Sequence, residues 1–68
     1  MKGFIEVTQL GHGEERFRKI IAVSEIISVT EIDGIVCIQI SRDHKGRVLA
    51  GVQVAESYEK ILSLILAA

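Results

Sequence analysis

The stretch Ile26-Ile27-Ser28-Val29-Thr30-Glu31-Ile32-Asp33-Gly34-Ile35-Val36-Cys37-Ile38-Gln39-Ile40 decides the fold of this chain. Asp33-Gly34 stands between two alternating apolar runs, residues 26–32 and 35–42. Asp-Gly supplies the two positive-φ residues of a type I′ turn, so the pair predicts a tight hairpin. That turn sets Ile32 opposite Ile35, Glu31 opposite Val36, Thr30 opposite Cys37, Val29 opposite Ile38, Ser28 opposite Gln39 and Ile27 opposite Ile40. Paired residues share a face of the sheet. One face then carries Val29, Ile38, Ile27, Ile40 and Val36, and the other carries Ser28, Gln39, Thr30 and Cys37. The apolar and polar residues segregate although the turn alone chose the register.

Working outward, Ile38, Ile40 and Val36 must meet the next strand. A three-residue loop at His44, Lys45 and Gly46 sets Ile40 against Ala50, Ile38 against Val52 and Val36 against Val54. It also puts Gly46 at the left-handed position of that loop, so Gly46 is expected to have positive φ. The fifth strand is expected over residues 47–54. Upstream, Phe4–Leu10 alternates with Ile5 and Val7 on one face, which reads as the first strand. A polar, glycine-rich connection at residues 11–15 leads to a second strand over residues 17–21. Residues 22–25 form a short break of one helical turn, with Ser24 as its candidate cap. At the other end, Tyr58, Ile61, Leu62 and Ile65 follow the helical i, i+3, i+4, i+7 stripe, which predicts a helix over residues 56–66. Glu56 and Glu59 fall in its first turn, where the helix dipole favours negative charge.

The expected fold class is α+β: a five-stranded antiparallel curled sheet, small and barrel-like, with one C-terminal helix, in the order β-β-β-β-β-α. All 68 residues form one domain, near the lower size limit for a chain that folds alone. Cys37 is the only cysteine, so no intramolecular disulfide forms, and one cysteine with two distant histidines makes no zinc site. Hydrophobic residues make up 49% of the chain, rich for so little interior. The surplus falls on the opposite sheet parity and the helix end: Ile26, Ile32, Ile35, Leu49, Leu64 and Leu66. Apolar patches of this kind meet other proteins. These six residues are the expected interaction surface, and a second copy of the chain is the expected partner, with another protein as the alternative.

No constellation for catalysis is visible. His12 lies between glycines beside Glu14 and Glu15, and His44 sits in a tight turn; nothing in the sequence orients either imidazole. Cys37 has no histidine at a neighbouring strand position to act as base. No Gly-x-Ser-x-Gly elbow occurs. The expectation is a protein that is not an enzyme and needs no cofactor or metal. The net charge of −1 supplies no global field toward nucleic acid or anionic membrane. The longest apolar run is too short to span a bilayer, and with no signal peptide at the start the expected location is cytoplasmic. A local basic group remains: Arg16, Phe17, Arg18 and Lys19 on the second strand, and Arg42 and Arg47 around the second hairpin turn. A curled sheet bearing basic residues and an exposed aromatic can hold single-stranded nucleic acid. That is the alternative function.

The stretches Ile5-Glu6-Val7-Thr8-Gln9-Leu10, Ser24-Glu25-Ile26-Ile27-Ser28-Val29 and Val54-Ala55-Glu56-Ser57-Tyr58-Glu59-Lys60-Ile61 together resemble the FlbD-like (SwrD) family of small flagellar motility proteins, whose like also occur in phage-like settings. The resemblance implies this strand order, a terminal helix and an accessory role in motility, and it carries over no catalytic residue. The chain departs from the family pattern by a longer first loop, at residues 11–16, and an added hairpin around residues 43–46.

Overall fold

A computed structural model describes residues 2–41 and 51–68. Strands β1 (Phe4–Leu10) and β2 (Arg16–Ala22) lead through a three-residue 3-10 turn (Val23–Glu25) into β3 (Ile26–Ile32), β4 (Ile35–Ile40) and β5 (Gly51–Val54). Helix α1 (Tyr58–Ala67) follows. The strands form one antiparallel sheet in the order β2-β1-β5-β4-β3. The expected α+β class and five-strand order hold. The sheet is open rather than closed into a barrel, with β2 and β3 as its two edges. The expected loop at His44–Gly46, the φ of Gly46, the pairing of Ile40 with Ala50, and residues Arg42, Arg47 and Leu49 lie outside the described residues.

The central hairpin follows its turn. Asp33 and Gly34 have φ of 52° and 81°, both in the left-handed region that a type I′ turn requires. Five of the six expected pairs form, from Ile32↔Ile35 to Ser28↔Gln39. The sixth does not: Ile26, not Ile27, lies opposite Ile40, and the register shifts between Ile26 and Ser28. One extra residue on β3 makes a bulge, which reverses the facing of everything beyond it. Ile26 therefore packs against the core with Ile40, and Ile27 is exposed. Across β4, the pairs Ile38↔Val52 and Val36↔Val54 stand as expected.

The core consists of Ile5, Val7, Ile21, Val36, Ile38, Val52, Val54 and Ile61. Every member is aliphatic, and no polar residue is buried among the described ones. Alternation puts these strand side chains on one face, and α1 lies over that face through Ile61, supported by Tyr58, Leu64 and Ile65. Leu62, expected in the stripe, is exposed, and Leu64 takes its place. The helix starts at Tyr58, two residues later than expected, because Ser57 caps it: its hydroxyl accepts the Lys60 N–H at 3.1 Å. A serine there satisfies one of the donors that a helix start leaves free.

Glu56 is thereby released from the helix for a different task. Its carboxylate oxygens accept the backbone N–H of Thr8 at 2.9 and 3.0 Å. β5 runs out beside β1 at Val54, where Ala55 N–H donates to Thr8 O at 2.9 Å. Glu56 thus stands in for the next backbone acceptor and seals the strand as the chain turns into the helix. β2 is longer by one residue at each end than expected. Ser24 does not cap the 3-10 turn; Ala22 occupies that position with no side-chain bond.

Candidate interaction surface

The faces of the edge strands follow from the ladders. Thr8 turns its backbone groups toward β5 and Glu56. Backbone groups alternate sides along a strand, so Ile5, Val7 and Gln9 face β2 and bond Ile21, Lys19 and Phe17. Arg16, Arg18 and Ile20 consequently point their own N–H and C=O groups out from the free edge of β2. On β3, the two-residue turn makes Ile32↔Ile35 a bonded pair, as are Thr30↔Cys37 and Ser28↔Gln39. Val29 and Glu31 therefore present their backbone groups to the outside.

Large apolar side chains stay exposed along both edges. On β2 these are Phe17 (49% exposed) and Ile20 (55%); on β3 they are Ile27 (45%) and Ile32 (66%). Phe4, Ile35, Leu62 and Leu66 complete the exposed set among the described residues. Of the six residues read from the sequence as an interaction surface, Ile32, Ile35 and Leu66 are exposed. Ile26 and Leu64 are instead partly buried against the core. The bulge turns Ile26 inward, and Leu64 rather than Leu62 packs against the core. The sequence offers Phe17 as a nucleic-acid contact and Ile20 only as a strand residue; both are exposed on the edge strand β2. A shallow depression of about 410 Å³ lies at the tip of the central hairpin, lined by Thr30, Ile32, Asp33, Ile35, Cys37 and Gln53. Another, of about 280 Å³, lies beside Phe4, Ile5, Glu6 and Ile20.

The basic residues of β2 do not form a free cationic stripe. Arg18 Nε donates to Glu6 Oε2 at 2.7 Å across the β1–β2 pair. That hydrogen bond, and then the charge of Glu6, raise the Arg18 pKa above its ordinary value. Arg16 Nη1 donates to the Glu15 carbonyl at 2.7 Å and reaches that of Gly13. Lys19 lies on the other face, opposite Val7 and half-buried. The three cations therefore project to two faces, and two of them hold bonds within the hairpin.

The first loop is tied to itself: Gly11 N–H donates to Glu15 O, Glu15 N–H to His12 O, and His12 N–H to the Glu15 carboxylate. Cys37 carries a free, half-buried thiol between Thr30 and Gln53. Among the described residues no three His, Cys, Asp or Glu side chains come together as metal ligands, and no helix is long and apolar enough to cross a membrane. Comparison with protein-family models, curated proteins and solved structures finds no match to this chain.

Proposed function

We propose that this chain is a non-enzymatic protein-interaction module that works as a self-associated assembly. The observation that carries the reading is the surface. As many large apolar side chains are exposed among the described residues as there are residues in the buried core, eight of each. In so small a domain, exposed apolar area of this extent marks a protein contact, and a chain of this size gains stability by association that its own core cannot supply. The alternative of single-stranded nucleic-acid binding draws on Arg16, Phe17, Arg18 and Lys19, but these do not converge on one face. Light scattering over a wide concentration range, at two salt concentrations, tests the proposal. A stable oligomer is expected at both. A monomer at the highest concentration overturns it.

A further inference from the structure

We infer that copies of this chain join head to tail, the β2 edge of one pairing in parallel with the β3 edge of the next. The inference rests on the self-association proposed above and names its interface. Two linked geometric conditions set its form, and the side-chain complementarity carries it.

The first is direction. Followed strand by strand through the antiparallel pairs, β2 and β3 have the same sense along the curled sheet, whose edges are joined by the three-residue turn Val23–Glu25. A neighbour that continues the sheet therefore brings β2 alongside β3 in parallel.

The second is backbone facing. A parallel ladder needs the outward-pointing residues of its two strands to lie on opposite faces. Outward residues of β2 (Arg16, Arg18, Ile20) lie on the face away from the helix, as does Glu6, the partner of Ile20. Outward residues of β3 (Val29, Glu31) lie on the helix face, opposite Ile38 and Val36 of the core. This is the parallel requirement, and it excludes antiparallel pairing of β2 with β3 in one continuous sheet.

The carrying observation is complementarity. Set Arg18 of one copy opposite Thr30 of the next. The Arg18 N–H then meets the Val29 carbonyl, and the Glu31 N–H meets the Arg18 carbonyl. In the same register, exposed Ile20 lies beside exposed Ile32. Phe17 lies beside Val29, and Lys19 beside Glu31, an opposite-charge pair. Cross-strand apolar and opposite-charge neighbours are the units that stabilise a sheet. Pairing β2 with a second β2 would instead bring basic residues together. Pairing β3 with a second β3 would leave Phe17 and Ile20 uncovered. A head-to-tail contact either closes into a ring or grows into a filament.

The test uses two variants of the full chain, each lacking one outward N–H. Proline is tolerated at such positions on edge strands. Arg18→Pro blocks the β2 edge, and Glu31→Pro blocks the β3 edge. Each alone should be a monomer, and an equimolar mixture should give a dimer, because one intact junction remains. If Arg18→Pro alone forms dimers, β3 pairs with β3 and the inference is overturned. If both variants keep the wild-type mass, neither edge is the interface and it is equally overturned. A monomeric wild type removes the underlying reading instead. Should either proline variant fail to fold by circular dichroism, the charge pair decides. Lys19→Glu and Glu31→Lys should each raise the association midpoint concentration about tenfold, like charges across an interface being costly. The double swap should restore it; a double swap no better than the singles would sink the pairing.

Discussion

The two hairpins of this sheet reach the same antiparallel pairing by different means. β3 and β4 turn on two residues, and the torsions of Asp33 and Gly34 specify the pairs that follow. β1 and β2 turn on a five-residue loop, and their pairing is held by bonds within it and by burial of Ile5, Val7 and Ile21, with Glu6–Arg18 an exposed ion pair across the strands. A tight turn makes register a local property. A wide loop leaves register to side-chain contacts and to the core. The bulge at Ile27 marks how far the local rule reaches: it governs five pairs and yields where Ile26 can be buried.

The sharpest test asks whether the hairpins are separate units. Ile5 in one and Ile38 in the other share a single core. Ile5→Ala and Ile38→Ala should each lower stability by about 3 kcal/mol, as buried Ile truncations do. Urea unfolding should remain one transition; two transitions would show that the hairpins melt independently.

The bulge gives the next contrast. Ile26→Ala should cost about 2 kcal/mol, while Ile27→Ala should cost less than about 0.5 kcal/mol. Equal losses in thermal unfolding would mean that strict alternation, not the bulge, describes β3.

The two turns can be compared at a glycine in each. A Cβ on Gly34 meets nothing within 4 Å, so Gly34→Ala suffers only from its φ of 81°, about 1 kcal/mol. A Cβ on Gly11 would sit 2.6 Å from a Phe17 ring carbon and 2.8 Å from Glu15 Cβ, so Gly11→Ala should cost about 1–2 kcal/mol through crowding. Asparagine separates the causes. It tolerates the left-handed region and should recover stability at position 34, but not at position 11. Recovery at both positions would merge the two mechanisms.

A further contrast lies outside both hairpins. Ser57→Ala should cost about 1 kcal/mol by removing the helix cap, with the strands unchanged by amide exchange. Loss of protection in β1 as well would show that the cap also holds Glu56 against Thr8.

Much of this was legible residue by residue. Asp33-Gly34 announced its pairs because the torsions of a two-residue turn leave one register. The alternation of Phe4–Leu10 follows from the two-residue period of a strand, and the pairing of Ile38 with Val52 is the one that a three-residue loop at residues 44–46 selects. The role of Glu56 is not legible in the sequence, because helix propensity and charge near an N-terminus do not reveal that a strand end needs an acceptor. Leu62 and Leu64 were exchanged because an ideal stripe does not say where a ten-residue helix meets the sheet. Of the candidate surface, the exposure of Ile32, Ile35 and Leu66 is legible in the sequence, whereas the place of Phe17 and Ile20 on an edge depends on the sheet order.

The sequence by itself determined the α+β class, the central hairpin and the aliphatic core, because turn torsions and side-chain alternation are local and short in range. Only the tertiary structure decided the placement of β1 beside β5, the bulge that turns Ile26 inward, and the open sheet with β2 and β3 at its edges. Those depend on which distant segments compete for the same apolar volume, and no window of neighbouring residues contains that competition.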